Sequence, residues 1–239
     1  MLLLSWREQV RNMKSHFINL VFPPVCANCR QVGEILCQRC LTQVEWVRAP
    51  ICEVCGRDLL TKTHVCHFCR QRPLPLKQIR AAVRFSTIIP DLIHQLKYRN
   101  TFALAEPLGI LMAQAWPDWQ VDVDVVLPVP LHAQRQKERG YNQADLLVDV
   151  FCRERQLPSH KKILYRIRKT PPQVGLNAAD RRQNMKGAFA IENPHLVKGG
   201  KFLLVDDVCT TGATLVAATE ALLDAGAETV SAYCLARAV

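Results

Sequence analysis

From Leu76 onward, short runs of apolar residues alternate with stretches whose apolar residues recur at helical spacing. The short runs fit strands that are covered on both faces, and the longer stretches fit helices between them. This alternation predicts βαβ units and a mostly parallel sheet, which is the α/β fold class. The predicted strands are 81–85, 123–127, 163–165, 202–205 and 229–235, and the predicted helices are 91–98, 102–115, a stretch that ends near 156, and 215–223.

Two carboxylates, Asp206 and Asp207, directly follow the predicted strand at 202–205. They cannot remain unpaired in a dry sheet interior, so we expect them at the C-terminal edge, where open α/β sheets bind ligands. A sugar diol or Mg²⁺ is their natural partner. The next residues open a helix whose N–H groups and hydroxyls can surround an anion, whereas an ordinary helix cap needs only one such residue. This threonine loop consists of Thr210, Thr211, Gly212, Ala213 and Thr214.

A second candidate anion site follows the predicted strand at 123–127. Pro128 and Pro130 lack N–H donors and prevent a helix from starting there, so we expect a rigid loop. The predicted loop continues through Arg135 and Arg139 before the next helix. Each guanidinium offers two parallel N–H donors, so this pair is suited to binding a diphosphate.

Eight of the eleven cysteines form four Cys-x-x-Cys pairs. The start of the chain lacks the pattern of a secretory signal, so we expect a reducing compartment and thiolate ligands on two structural Zn²⁺ ions. Sequential pairing makes a double zinc ribbon, and cross-braced pairing remains open, as does replacement of a cysteine by His64 or His67. Four thiolates leave no open position for catalysis. The predicted ligands are Cys26, Cys29, Cys37, Cys40, Cys52, Cys55, Cys66 and Cys69.

Three parts are expected along the chain. Residues 1–22 have the spacing of a basic amphipathic helix, which could lie on an anionic membrane or pack against the rest of the protein. Two prolines and two basic residues at 70–75 mark a boundary. We therefore expect a double zinc ribbon at 23–75 and the α/β domain at 76–239. No apolar run reaches the roughly 20 residues that span a bilayer, and we expect a cytoplasmic protein without a transmembrane segment.

Positive charge is concentrated in one part of the chain. The 239 residues carry a formal net charge of +10, and the segment from Arg135 to Lys186 holds thirteen basic residues against five acidic ones. A solvated basic face accounts for part of this surplus. The clustering favours a surface that binds pyrophosphate, nucleic acid or both.

The acidic pair and threonine loop resemble the ligand site of type I phosphoribosyltransferases. From Cys26 to Arg237 the chain resembles the competence protein F family, also called the ComFC family, whose members carry an N-terminal zinc ribbon. The shared motifs are 128–131, 139–144, 206–214 and the spacing of residues between 170 and 189. The resemblance implies a type I phosphoribosyltransferase fold, a parallel sheet flanked by helices, with a small zinc-ribbon domain.

The resemblance also implies roles for individual residues. Asp206 and Asp207 would hold the ribose hydroxyls of 5-phosphoribosyl-1-pyrophosphate (PRPP), which binds with Mg²⁺, and the threonine loop would hold the 5′-phosphate. Arg135 and Arg139 would bind the diphosphate. The segment 166–186 corresponds to a hood that closes over the diphosphate. From it, Arg181 and Arg182 would help stabilise the transition state of a transfer reaction.

Members of this family are implied in DNA uptake and natural transformation, where single-stranded DNA is handled on the cytoplasmic side of the inner membrane. We therefore expect a DNA-binding competence protein that also binds PRPP. Its expected partners are single-stranded DNA and the inner-membrane uptake machinery, and its location is the cytoplasm or the inner-membrane surface. The alternative is an active phosphoribosyltransferase of nucleotide salvage or biosynthesis that releases pyrophosphate. Tyr98, Tyr141 and Phe189 could stack on bases or pack in the core.

Overall fold

The computed structural model of the chain describes residues 23–59, 63–116, 122–169, 185 and 187–238. The chain divides into two compact units between Gln43 and Val44. The helix expected at 1–22 lies outside the described residues, and so do Arg181 and Arg182. The domain boundaries expected at residues 22 and 75 stay predictions.

The order of the described elements is that of an α/β fold. The helices are α1 (Gln38–Leu41), α2 (His67–Gln71), α3 (Ile89–Tyr98), α4 (Ala105–Ala115), α5 (Ala133–Arg139), α6 (Gln143–Arg155) and α7 (Ala213–Asp224). The strands are β1 (Ile79–Arg84), β2 (Val125–Pro128), β3 (Leu164–Arg166), β4 (Phe189–Ile191), β5 (Lys201–Cys209) and β6 (Thr229–Arg237). Short 3₁₀ turns lie at Phe102–Leu104 and Pro194–Leu196.

Four strands form a parallel sheet in the order β1-β6-β5-β2, and β3 pairs with β4 in a separate antiparallel sheet. In the parallel sheet, Pro128 at the end of β2 pairs with Val205 of β5. On the other side of β5, β6 continues beside it as far as Cys209. The acidic pair therefore follows the point where β2 stops, at the C-terminal edge where such sheets bind ligands.

Apolar side chains cover both faces of the parallel sheet. Leu204 of β5 pairs with Ala232 of β6, and both belong to a core that includes Leu222 of α7. Tyr233 points to the opposite face because successive side chains of a strand alternate. There its hydroxyl donates to the carbonyl of Met112 in α4 at 2.7 Å. Residues 202–205 of β5 are apolar without alternation because both faces of the strand are buried there.

One predicted loop is a helix. Residues 133–139, expected as loop, form α5 because both ends carry suitable signals. The Nδ1 of His132 accepts from the N–H of Gln134 at 3.3 Å, and Gly140 ends the helix in the left-handed region at φ 82°. Pro128 and Pro130 precede the helix and do not interrupt it, so the prediction of a loop at Arg135 and Arg139 was wrong.

Strand β5 is longer than predicted. It runs to Cys209, so both carboxylates lie within the strand and not after its end. The side chain of Asp207 is 5% exposed and forms an ion pair with Lys97 of α3. That pairing is what permits a carboxylate in this position, because an unpaired one would be strongly unfavourable.

Candidate functional site

The threonine loop joins β5 to α7 in a tight turn. Gly212 lies at the start of α7 with φ 80°, a left-handed conformation that a side chain would strain. The hydroxyl of Thr211 accepts from the N–H of Ala213 at 3.4 Å. Thr210 and Thr214 line the neighbouring cavity. The loop thus brings hydroxyl groups together with the N-terminus of a twelve-residue helix, which is favourable for binding a phosphate.

The acidic pair is held by the backbone and by a lysine. Asp206 and Asp207 each accept from the backbone N–H of the following residue at 2.8 Å. The Nζ of Lys97 lies 2.5 Å from an oxygen of Asp207. Lys97 comes from the last turn of α3, so this contact fixes one face of α3 against the C-terminal half of β5.

The charges of this group influence one another. Burial raises the pKa of Asp206 well above its usual range, and the neighbouring charge of Asp207 raises it further. Burial alone would lower the pKa of Lys97, but the attraction of Asp207 outweighs it and raises the pKa. One carboxylate, Asp207, is thus neutralised by lysine, and the ionised form of the other, Asp206, is disfavoured until a cation or a further hydrogen-bond donor binds it.

A cavity of about 620 Å³ connects the acidic pair, the threonine loop and two arginines. Its volume suits a small organic ligand. Its polar wall contains both carboxylates, and its apolar wall comes largely from α3 and from the loop after β2. The lining residues are Phe85, Pro90, Asp91, Ile93, His94, Lys97, Tyr98, Val129, Pro130, Leu131, Arg135, Gln143, Arg166, Asp206, Asp207, Val208, Thr210 and Thr214.

The two arginines predicted to act together have different positions. Arg135 lines the cavity. The guanidinium carbon of Arg139 lies 5.1 Å from the centre of the Tyr98 ring, and a guanidinium nitrogen donates to the side-chain oxygen of Gln143. Both arginines lie on α5, but only Arg135 is at the cavity. Their joint role at a diphosphate therefore stays a prediction.

Two cationic residues of the cavity, Lys97 and Arg166, were not predicted from the sequence. Arg166 ends β3 and lines the cavity together with Arg135. Burial lowers the pKa of Arg166, and the charge of Arg135 lowers it further. Two like charges at one wall are costly unless an anion lies near them, and this is a signature of a functional site. The sequence does contain a signal for Arg166. This residue directly follows the predicted strand at 163–165, just as Asp206 directly follows the predicted strand at 202–205.

The eight predicted cysteine ligands form two groups of four, as in sequential pairing. Within each group all sulfurs lie within 4.8 Å of one another, and among the described residues both groups contain only cysteines. Sulfur separations of 3.7 Å for Cys26 and Cys40, and also for Cys55 and Cys66, are near the roughly 3.8 Å of a tetrahedral Zn²⁺ site. Both groups are compatible with structural Zn²⁺. His64 is exposed and lies 2.8 Å from Glu53.

The backbone around the second group favours a thiolate at Cys52. The N–H of Cys66 donates to the sulfur of Cys52 at 3.3 Å. Burial alone would raise the pKa of Cys52, but hydrogen bonds from backbone N–H groups outweigh it and lower the pKa to about 6. Burial and the charges of neighbouring sulfurs raise the pKa of Cys69 instead, so all four sulfurs become thiolates only when a cation offsets their charges.

Known proteins share these features. A model of the double zinc ribbon domain matches residues 17–70, and a model of the phosphoribosyl transferase domain matches residues 155–238. Competence protein F of Haemophilus influenzae is 34% identical over 227 residues, which cover 89% of this chain and 96% of that protein. The chain belongs to the competence protein F family.

Other members of the competence protein F family have related names. The DNA utilization protein YhgH of Salmonella typhimurium is 32% identical, over 91% of this chain and 99% of that protein. Competence protein ComFC of Bacillus subtilis is 29% identical, over 85% of each. The predicted phosphoribosyltransferase fold with an N-terminal zinc ribbon is confirmed. Within the described ranges, no helix is both long enough and apolar enough to cross a bilayer.

Proposed function

We propose that this chain is a competence protein that handles single-stranded DNA in the cytoplasm and binds PRPP with Mg²⁺ in its phosphoribosyltransferase-like domain. The observation that carries the proposal is the cavity in which Asp206, Asp207 and the threonine loop meet Arg135 and Arg166. A pentose with phosphates at both ends requires this combination: acceptors for its hydroxyls, hydroxyl and N–H donors for one phosphate, and cations for the other.

The cavity residues fit both proposed groups. Carboxylate oxygens are the ligands that Mg²⁺ prefers, and bound Mg²⁺ would neutralise part of the diphosphate charge. Asp206 and Asp207 would accept from the ribose hydroxyls or hold the ion. Lys97 would then either break its ion pair with Asp207 or keep it while Asp207 also binds the ligand. The threonine loop would hold the 5′-phosphate, and Arg135 with Arg166 the diphosphate. In this proposal Arg139, Arg181 and Arg182 assist at the diphosphate.

Three features support the DNA-handling part. Relatives over most of the chain are named for competence and for DNA utilization. The basic surplus from Arg135 to Lys186 is suited to a phosphate backbone. Zinc ribbons often contact nucleic acid, and two cysteine groups of that type are present. The proposed partners are single-stranded DNA and the DNA-uptake machinery, at the cytoplasmic side of the inner membrane.

One observation favours a second function, an active phosphoribosyltransferase. The cavity is also lined by apolar side chains, among them Phe85, Ile93 and Leu131, which are suited to an acceptor base. A transferase would join that base to the pentose and release pyrophosphate. The same cations would then stabilise the charge that develops on the departing diphosphate.

One set of measurements separates the two functions. Binding of single-stranded DNA is measured with and without PRPP across a salt series, and PRPP binding is measured by calorimetry with Mg²⁺. The first proposal expects PRPP binding and DNA binding that weakens steeply with salt. No DNA binding at low salt contradicts it. Rapid pyrophosphate release with one particular base supports the second function.

A further inference from the structure

Three ring-bearing side chains follow at four-residue intervals along α3 and the turn after it: His94, Tyr98 and Phe102. All three are exposed, Tyr98 to 64% and Phe102 to 49%. The sequence left open whether Tyr98 packs in the core, and its exposure excludes that. Large aromatic side chains grouped at a surface mark a binding site more often than isolated ones do.

The other two aromatic candidates have structural roles. Phe189 is buried in β4. Tyr141 is half-buried, and its hydroxyl donates to the carbonyl of Leu96. The Tyr141 ring packs against Phe102 nearly at right angles, with ring centres 4.5 Å apart. Tyr141 therefore supports Phe102, which keeps about half of its surface exposed.

Two neighbours hold Tyr98 in place. The guanidinium carbon of Arg139 lies 5.1 Å from the centre of the Tyr98 ring, within the range of a cation–π contact. The His94 ring lies 4.9 Å away and is tilted by 45°. Tyr98 thus has defined contacts on part of its surface, while most of the side chain remains open to solvent. An ordered, exposed ring beside a guanidinium can stack on a base and bind the adjoining phosphate.

Helix α5 supplies more positive charge beside this ring. It contains no buried residue, and it exposes Arg135 and Lys137 with Glu138 as its single acid. Arg135 also lines the cavity. The basic residues of α5 therefore extend from the cavity wall to the ring of Tyr98. Exposed rings beside basic side chains complement a nucleic-acid strand, which has flat bases and a phosphate on every nucleotide.

We propose that Tyr98, Phe102 and α5 form a binding surface for single-stranded DNA, with one base stacked on Tyr98 and flanking phosphates on Arg139 and Arg135. This inference rests on the proposed function, because it names the surface through which the protein holds the strand. A single strand is required, since duplex bases stack on one another and are not open to a side chain. Tyr98 and Arg135 of this surface also line the cavity proposed for PRPP.

The test is the binding of a fluorescein-labelled oligothymidylate to the full chain, followed by fluorescence anisotropy. Tyr98→Ala removes the ring and is expected to weaken binding about tenfold, whereas Tyr98→Phe keeps the ring and retains the affinity. Phe102→Ala is expected to weaken binding to a smaller extent. Lys198→Ala is the control for loss of one exposed positive charge elsewhere, because Lys198 lies outside the segment from Arg135 to Lys186, in the turn before β5 and so at the other end of the strand from the cavity.

An oligomer of the same length without bases separates stacking from charge. We expect this abasic strand to bind equally well to the original chain and to Tyr98→Ala, and to bind less well to Arg139→Ala. If Tyr98→Ala retains full affinity for oligothymidylate, or loses affinity equally for both strands, the inference is wrong. The proposed function still stands in that case, provided that the original chain binds DNA.

A further experiment tests whether the Tyr98 ring binds a free base and not a DNA strand. Calorimetric titration with thymine in the presence of PRPP is compared for the original chain and Tyr98→Ala. An effect of the substitution on thymine alone, with DNA binding unchanged, would overturn the inference and favour the transferase. Failure of the original chain to bind DNA overturns both the inference and the DNA-handling function.

Discussion

Ile79 fills the space beside Gly212. Its Cδ1 lies 3.2 Å from the position that a Cβ on Gly212 would occupy, so the threonine loop packs directly on β1. Ile79 is 1% exposed and belongs to the core beneath α7. The conformation of the loop thus depends on a strand that is remote from it in the sequence.

We predict that Gly212→Ala weakens PRPP binding and lowers the free energy of unfolding. The added Cβ meets Ile79, and the left-handed φ of 80° costs about 1–2 kcal/mol for any other residue. Gly199→Ala is the matched control, because Gly199 has φ 72° and no atom within 4 Å of an added Cβ. Both variants should lose stability in denaturant unfolding, and only Gly212→Ala should lose PRPP affinity in calorimetry. Equal affinities for PRPP would contradict this account.

The same Ile79 also contacts the second cysteine group. Its N–H donates to the carbonyl of Val54 at 2.7 Å, and an added Cβ on Gly56 would lie 2.5 Å from its carbonyl oxygen. The segment between Cys52 and Cys55 therefore covers part of the edge of β1, which pairs with β6 on its other side. An uncovered edge exposes N–H groups to water.

Metal removal should loosen this edge. We predict that a strong chelator accelerates amide hydrogen exchange at the start of β1, because the Cys52–Cys69 segment loses its order and Ile79 loses its acceptor. Mass spectrometry of peptic fragments measures this. Fragments from β5, in the middle of the sheet, are the internal control and should stay protected. Unchanged exchange in β1 after complete loss of metal would show that the segment holds its position without an ion.

Asp206 and Asp207 should affect stability in opposite directions. The pKa of Asp206 is raised by burial and by Asp207, so the folded protein loses stability as pH rises from the usual carboxyl range through this raised pKa. Asp206→Asn removes that loss and should stabilise the ligand-free protein at neutral pH, but not in acid below both pKa values. Asp207→Asn leaves Lys97 without its partner and should destabilise by about 3 kcal/mol.

Urea unfolding of the two variants in acid and at neutral pH checks this prediction. The pKa of Lys97 is raised in the folded state, so the contribution of its charge is fully present at neutral pH and is lost as the pH rises through that raised pKa. Both variants should nevertheless lose PRPP affinity, because each removes a charged acceptor. Stability changes of the same sign for both variants at neutral pH would contradict the assignment of Lys97 to Asp207.

The parts of the site that the sequence predicted are local. The carboxylates lie near the end of β5 and the threonine loop follows that strand directly, so the order strand, turn, helix fixes where they lie. The Cys-x-x-Cys pairs are equally local, because each group of four cysteines combines two pairs that are consecutive in the sequence. In each case the residues that act together are close in the chain, so spacing carries the information.

The parts of the site that the sequence did not predict depend on tertiary packing. Lys97 reaches Asp207 from α3, and no periodicity in α3 distinguishes a lysine that faces a ligand from one that faces water. Arg135 and Arg139 were expected on one loop with one role. They lie four residues apart on one helix, but only Arg135 lines the cavity, because the guanidinium of Arg139 contacts Tyr98 of α3. That contact depends on the packing of two segments and not on either segment alone.

Arg166 provides a test of which cation holds the diphosphate. It lines the cavity at the end of β3, and burial together with Arg135 lowers its pKa, so an anion bound there relieves an unfavourable charge. Arg135 is exposed, and its interactions are screened by water and salt. We therefore predict that Arg166→Met weakens binding of pyrophosphate and of PRPP at least tenfold, because charge-assisted hydrogen bonds contribute about 1.5–3 kcal/mol. Arg135→Met should have a smaller effect that disappears in high salt.

Calorimetric titrations with pyrophosphate at low and high salt measure both effects. Lys198→Met is the control, since it removes an equal charge from an exposed position in the turn before β5, outside the segment 166–186. It should change the affinity little. A loss in Lys198→Met as large as that in Arg166→Met would mean that the cavity responds to total charge alone. A larger loss in Arg135→Met than in Arg166→Met would place the diphosphate on α5, as the sequence alone suggested.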